Sequence, residues 1–258
     1  MREKIKISII ILSFNDIRVL EAIKSVQAFN DNNEVAIIVI DGGSEDELVK
    51  EINSMLSKED LLISEKDNGI FDGLNKGLNY SKGDYIGWLG SDDFFSSQFK
   101  ASKLLRDFED NEILIYCCAH FENNKVKRVT PSWPSRYRLN FLGLNNAHFS
   151  TFGKRDLLNS TKFSNNGNAD IDYFLDIFSR VKRFKALNEI STFQSLGGYS
   201  TSSLIFILKN NLSLISVYRI YTNFFLSLLA PFIKITFKVY LSIKSYLFPV
   251  DIEKHKRF

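Results

Sequence analysis

Ser64 to Phe95 reads SEKDNGIFDGLNKGLNYSKGDYIGWLGSDDFF. It begins where the short apolar run Leu61 to Ser64 ends, carries a helical segment from Ile70 to Tyr80, and returns to a strand over Asp84 to Leu89. Strand, helix and strand in that order make a βαβ unit, the building block of a parallel sheet. The unit closes on two adjacent carboxylates, Asp92 and Asp93, where the chain leaves the buried strand. Acids in that place need a reason.

Working outward, KISIIILSF (Lys6 to Phe14) and EVAIIVID (Glu34 to Asp41) are continuous apolar runs of strand length, as expected of parallel strands covered on both faces. Between them, Val19, Leu20, Ile23 and Val26 recur at helical spacing within Asp16 to Ala28. After the second run, Ser44 and Glu47 form an S-x-x-E pattern that predicts a capping box and an amphipathic helix. The series predicts an α/β fold with an open, mostly parallel sheet flanked by helices, and ligands at the carboxyl ends of its strands.

The chain has 258 residues and a formal net charge of +3, enough length for one large domain with a substantial core. Its basic excess is local. Ser203 to Phe258 holds eight Lys or Arg against two acids, whereas Met1 to Ser202 holds 25 against 28. The adjacent Cys117 and Cys118 rule out a disulfide framework or a multi-cysteine zinc site, and they read as small apolar residues in a reducing compartment. At the N-terminus, Ile7 to Leu12 is too short for a signal-peptide core and reads as a strand.

A nicotinamide dinucleotide would need G-x-G-x-x-G after the first strand, where the chain has LSFND, and no Walker pattern occurs. The strand ends carry Asp41, Asp92 and Asp93 instead, groups that repel phosphates unless a divalent cation lies between. Taken singly, each has a plainer reading. Asp41 before Gly42 and Gly43 fits a turn, and Asp93 fits the cap of a helix starting near Ser96. Their arrangement in one βαβ series points to a metal and diphosphate site.

The segments SIIILSFND, IIVIDGGSED and SEKDNGIFDGLNKGLNYSKGDYIGWLGSDD, with HFSTFGKRDLL and NADIDYFLDIFSR, resemble the family 2 glycosyltransferases of the GT-A, Rossmann-like fold. The likeness covers most of Ile7 to Arg180 and leans toward bacterial enzymes of surface polysaccharide assembly related to the colanic-acid group. It implies that Asp41 receives an N–H of the donor's base, usually uracil, and that Phe14 lies beside that base. It implies that Asp92 contacts ribose or a metal-bound water, and that Asp93 ligates Mg²⁺ or Mn²⁺ at the diphosphate. Asp67, Asn75 and Lys76 match a segment that closes over the nucleotide.

For the base that deprotonates the acceptor, the resemblance points to Asp170, with Asp172 the second candidate; at i and i+2 they face different sides of a helix. Both also suit the positive end of a helix dipole. His148 matches a position near the diphosphate or acceptor, although Phe149 stands where relatives carry Gln. The implied activity is inverting transfer of a sugar from a nucleotide diphosphate, UDP for preference, to a glycan or lipid-linked acceptor. Two other readings compete: a silent module of this fold that binds sugar nucleotide or membrane, and a nucleotidyltransferase. Neither reading involves nucleic acid.

Residues 1–202 form the expected catalytic domain and residues 203–258 a basic, apolar helical tail. The longest charge-free run there, Ile220 to Ile233, is short of the roughly 20 residues a spanning helix needs. Ser216, Arg219, Asn223 and Ser227 mark a polar stripe, Pro231 interrupts it, and Lys234 with Lys238 resumes it. This predicts helices lying in a membrane interface, hence a cytoplasmic protein peripheral to the inner membrane face. Packing on the body or on a partner subunit is the alternative, which leaves oligomerisation open. Trp88 reads as core, and Trp133 as a loop residue that could stack on a sugar.

Overall fold

The computed structural model describes residues 5–132, 148–164, 169–196, 215, 219–220 and 224–256. Strands β1 (Ile7–Ser13), β2 (Val35–Asp41), β3 (Leu61–Ser64) and β4 (Tyr85–Leu89) lie parallel in the order β3-β2-β1-β4. Helices α1 (Val19–Phe29), α2 (Asp46–Met55) and α3 (Ile70–Tyr80) make the crossovers. The sequence demands this arrangement. β1 and β2 are apolar on both faces, so Ile9 and Ile11 pack into one core with α1 and α2 while Ile10 packs into another with α3. A Cβ at Gly77 of α3 would lie 2.4 Å from Ile10 Cγ2, so glycine lets this helix seat directly on the sheet.

Beyond β4 the chain forms β5 (Phe94–Phe95), α4 (Ala101–Phe108), β6 (Ile113–Glu122), β7 (Lys125–Thr130), β8 (Thr151–Lys154), α5 (Arg155–Leu158), α6 (Ala169–Arg180) and β9 (Phe184–Ser195). The sheet continues as β4-β8-β6-β9-β5, with β7 paired to β6. Here the expectation of a mostly parallel sheet is corrected, because β6 runs parallel only to β9 and antiparallel to β7 and β8. The cause at β6–β7 is local: Asn123 and Asn124 both adopt positive φ, 50° and 55°, closing a two-residue hairpin whose strands must run antiparallel.

Two further expectations are revised. Helix α2 starts after Glu45 with no side-chain cap, because the Ser44 hydroxyl is bonded to Asp41 instead of the helix. Asp93 caps no helix either; α4 begins only at Ala101, and the Asp93 carboxylate accepts the Ser195 N–H at 2.9 Å. Trp88, Cys117 and Cys118 are buried, as expected.

The tail is continuous with the body. Helix α7 (Phe224–Leu247) runs through Pro231 without ending there and lies along β7, where the Val129 N–H donates to Ser245 Oγ at 2.8 Å. Ile252 then enters a cluster with Phe94, Ala119 and Phe193. Ser96 Oγ meets His255 Nδ1 at 2.7 Å, and Lys256 pairs with Glu21 at 3.3 Å while lying over the rings of Phe94 and Phe121. Among the described residues no helix is long and apolar enough to cross a membrane. Of the predicted polar stripe, Arg219 is exposed and Ser227 buried; Ser216, Asn223 and Trp133 lie outside the described residues, as do the side chains of Lys234 and Lys238.

Candidate active site

The carboxyl ends of β1, β2 and β4 open side by side, and each carries part of the site. At the end of β2, Asp41 is fully buried and accepts four hydrogen bonds: from the N–H groups of Gly43 and Ser44, and from the hydroxyls of Ser44 and Ser64. A carboxylate offers about four lone-pair sites, so this one is saturated by its own loop and the end of β3. Gly43, at φ 92°, supplies the backbone conformation that brings those amides round. The loop is tied to the end of β1, since the Asn15 N–H donates to Ser44 Oγ at 2.7 Å and the Glu45 N–H to Asn15 Oδ1 at 3.0 Å.

Phe14 stands 63% exposed beside this loop, and the Ser13 hydroxyl beneath it is buried with no hydrogen-bond partner among the described residues. Asp67 reaches the same place. Its Oδ1 accepts the Gly69 N–H at 2.9 Å, and its Oδ2 lies 3.1 Å from where a Cβ of Gly42 would stand. Lys76 pairs with Glu65 at 2.8 Å and Asp72 at 3.5 Å. Asn75, expected at the donor, is held by two bonds to the backbone. Its amide donates to the Phe163 carbonyl at 2.9 Å and accepts the Phe163 N–H at 3.0 Å, so both ends tie α3 to a distant loop.

After β4 the chain turns at Gly90, and Asp92 and Asp93 converge over it. A Cβ at Gly90 would sit 2.9 Å from Asp93 Oδ2 and 3.2 Å from Asp92 Oδ1, so only glycine leaves room for the pair. Asp93 is buried; desolvation first, and the Asp92 charge second, push its carboxyl well above the usual range against the pull of the Ser195 and Gly90 N–H groups. Two carboxylates so placed repel each other, and a divalent cation between them removes that repulsion. The donor set therefore fits Mg²⁺ or Mn²⁺, with a diphosphate completing the shell. Among the described residues no group of three or more His, Cys, Asp or Glu could hold a metal alone.

Sequence reasoning missed the neighbours of this pair. Arg18 lies 3.6 Å from Asp92 and is bonded to Asp16 at 2.8 Å, and Asp16 in turn accepts the Ser91 hydroxyl at 2.8 Å. Burial works against Asp16, yet the bonds from Arg18 and Ser91 hold its carboxyl below the ordinary range. The signal was present in LSFNDIR, where two polar residues and an arginine follow an apolar strand.

Asp170 and Asp172 both fall in the first turn of α6, half-buried, and Tyr173 beside them lies edge-on to Trp88 of β4 at 6.2 Å. His148 opens a 3-10 turn, His148–Ser150, whose Phe149 carbonyl accepts the Thr192 hydroxyl at 2.8 Å. Phe149 itself is buried in the core with Trp88. That explains an apolar residue at this position.

Asp41 at the end of β2, the Asp92–Asp93 pair after β4 and the exposed Phe14 after β1 gather at the carboxyl ends of the parallel strands, where open α/β sheets bind their ligands. Residues 8–167 match the model of Glycosyl transferase family 2, and the chain belongs to that family. It is 29% identical over 177 residues to an uncharacterized glycosyltransferase of Haemophilus influenzae, covering 66% of this chain and 70% of that one. A cholesterol galactosyltransferase of Borreliella burgdorferi is 25% identical over 237 residues, covering 82% and 66%. Among solved structures, S. aureus TarS 1-349 in complex with UDP-GlcNAc superposes with a TM-score of 0.62 at 16% identity, covering 82% of this chain and 65% of that one. The mannosyltransferase PcManGT from Pyrobaculum calidifontis, in complex with GDP-Man and Mn²⁺, gives 0.60 at 12%, covering 96% and 76%.

Proposed function

We propose that the protein is an inverting, metal-assisted glycosyltransferase that moves one sugar from a nucleoside diphosphate, UDP for preference, to a glycan or lipid-linked acceptor in bacterial surface polysaccharide assembly. The convergence of Asp92 and Asp93 over Gly90, within a family 2 chain, carries the reading. Those two residues would hold Mg²⁺ or Mn²⁺, which when bound supplies positive charge where the leaving diphosphate gains negative charge. Phe14 offers a face to the base. The saturated Asp41 turn holds the loops after β1 and β2 in one shape, and the Ser13 hydroxyl is free to bond the nucleotide. Asp170 takes the proton from the acceptor hydroxyl as that oxygen attacks the anomeric carbon from the face opposite the leaving group, which inverts the centre. Asp172 is the alternative base.

The tail supports a place at the inner face of the cell membrane. Helix α7 exposes Leu229, Phe232, Val239, Ile243 and Tyr246, and lysines accompany them at Lys244 and Lys254. An apolar stripe with basic residues suits an anionic bilayer surface. The test is product analysis with a panel of nucleotide sugars, with and without Mn²⁺, for wild type and Asp93→Asn. The proposal expects a free nucleoside diphosphate and metal-dependent turnover lost in the variant. Pyrophosphate release would mean a nucleotidyltransferase, binding without turnover a silent module, and equal rates in both proteins would remove the metal.

A further inference from the structure

Strands β6 and β7 carry a polar face that the reaction above leaves unused. The ladder sets Cys118 opposite Thr130 and His120 opposite Arg128, and on the other side of β6 it sets His120 beside Gln194 of β9. Residues in register share a face of the sheet. The opposite face is apolar, closed by Ala119, Phe121, Val126, Val129, Phe193 and Ile252. His120, Thr130 and Cys118 are buried, and His120 Nε2 meets Thr130 Oγ1 at 2.8 Å.

Arg128 is the exception on this face. Its side chain is half-buried, and that burial pulls its pKa down. Among the described residues no carboxylate pairs with it and no hydrogen bond holds it. A half-buried guanidinium with no protein anion beside it has lost part of its hydration without compensation, which leaves its fork available to an anion from outside. The face is next to the site: Asp93 accepts the Ser195 N–H, one residue past Gln194, which stands beside His120 in the ladder. It also lies on the far side of β4 from the Asp41 turn, away from the base. Helix α7, with its exposed apolar stripe, runs along the same β7 strand.

We infer that Arg128 is an acceptor-binding residue that holds a phosphate carried by the second substrate. The planar guanidinium fork matches two phosphate oxygens, and the apolar helix alongside suits a phosphate that joins a lipid to the sugar being extended. The inference rests on the glycosyltransferase reading.

The test is titration calorimetry of inorganic phosphate into the full chain, first alone and then saturated with UDP and Mg²⁺ so that the donor's own phosphate positions are filled. Wild type is expected to bind phosphate in both states. Arg128→Gln should weaken that binding at least tenfold and leave UDP affinity within twofold, while Arg128→Lys, with one charge but no fork, falls between. Absent phosphate binding, equal affinity in wild type and Arg128→Gln, or a parallel loss of UDP affinity would overturn the inference. Failure to bind UDP would sink the donor reading alone, since the titration of the free chain still decides Arg128. Binding to phosphatidylcholine vesicles containing phosphatidylglycerol is expected to be unchanged in Arg128→Gln; its loss would assign the anion to a lipid headgroup and overturn the acceptor assignment. Should Arg128→Gln fail to fold by near-ultraviolet circular dichroism, Arg128→Lys carries the comparison.

Discussion

Asp41 and Asp93 are both buried carboxylates at the carboxyl ends of the strands that flank β1, one closing β2 and the other following β4, yet their surroundings are opposite. Asp41 accepts three hydrogen bonds from its own loop and a fourth from Ser64 of β3, whereas Asp93 has two backbone N–H donors and a second carboxylate at its side. The first is a finished structural joint. The second is under-supplied, and burial plus Asp92 hold it in a conflict that the proposed cation would relieve. One site thus contains a group that stabilises the fold and a group the fold pays to keep, a division common where activity and stability compete.

Asp93→Asn breaks the comparison most directly. Transfer should fall on the order of 10²–10³-fold, the scale of losing one charge-stabilising group. The metal-free protein should at the same time melt higher at pH 7, by roughly 2–4 °C for each kcal/mol of relieved repulsion. A lower midpoint would mean that Asp93 is anchored as Asp41 is. The mirror substitution, Asp41→Asn, turns one acceptor into a donor facing donors. It should cost about 2–4 kcal/mol in urea unfolding, the usual range for a disrupted buried network. An unchanged midpoint would show the Asp41 bonds to be dispensable.

Asn75→Ala tests whether α3 serves structure or donor. Loss of the paired bonds to Phe163 should cost about 1–2 kcal/mol, with KM for the donor moving less than twofold. A tenfold rise in KM without loss of stability would return Asn75 to the nucleotide. The smallest effect concerns the C-terminal turn. Burial holds the His255 ring below its ordinary value of 6.5, so the folded state prefers the neutral ring and the unfolded chain takes up a proton first. The stability contributed is present above pH 6.5 and is lost as pH falls from there toward the lowered value. Thermal melts between pH 7.5 and 5.5 should show a decline that His255→Gln flattens. An identical decline in that variant would clear His255.

The parallel half was legible because its signals are local. Ile7 to Leu12 and Val35 to Ile40 are apolar on both faces, and Ile70 to Tyr80 was bounded correctly by its own periodicity. The second half depended on pairing between distant strands. Ile113 to Glu122 has apolar content compatible with several neighbours, and the Asn123–Asn124 turn fixed one of them. The site divides in the same way. Asp92 and Asp93 announced themselves by adjacency, but the Arg18–Asp16–Ser91 chain joins residues 75 apart and leaves no periodic mark.

By itself the sequence determined which residues are strands covered on both faces, where the crossover helices run, and that acids stand at the strand ends, because periodicity and turn chemistry act over a few residues. Tertiary structure alone decided which of those acids is saturated and which is starved of donors, because the partners of Asp41, Asn75 and Asp93 come from 23, 88 and 102 residues away. It likewise decided that the turn Ile252–His255 packs beside the strand that follows Asp92 and Asp93, since burial of Ile252 against Phe94 exists only once the sheet is assembled.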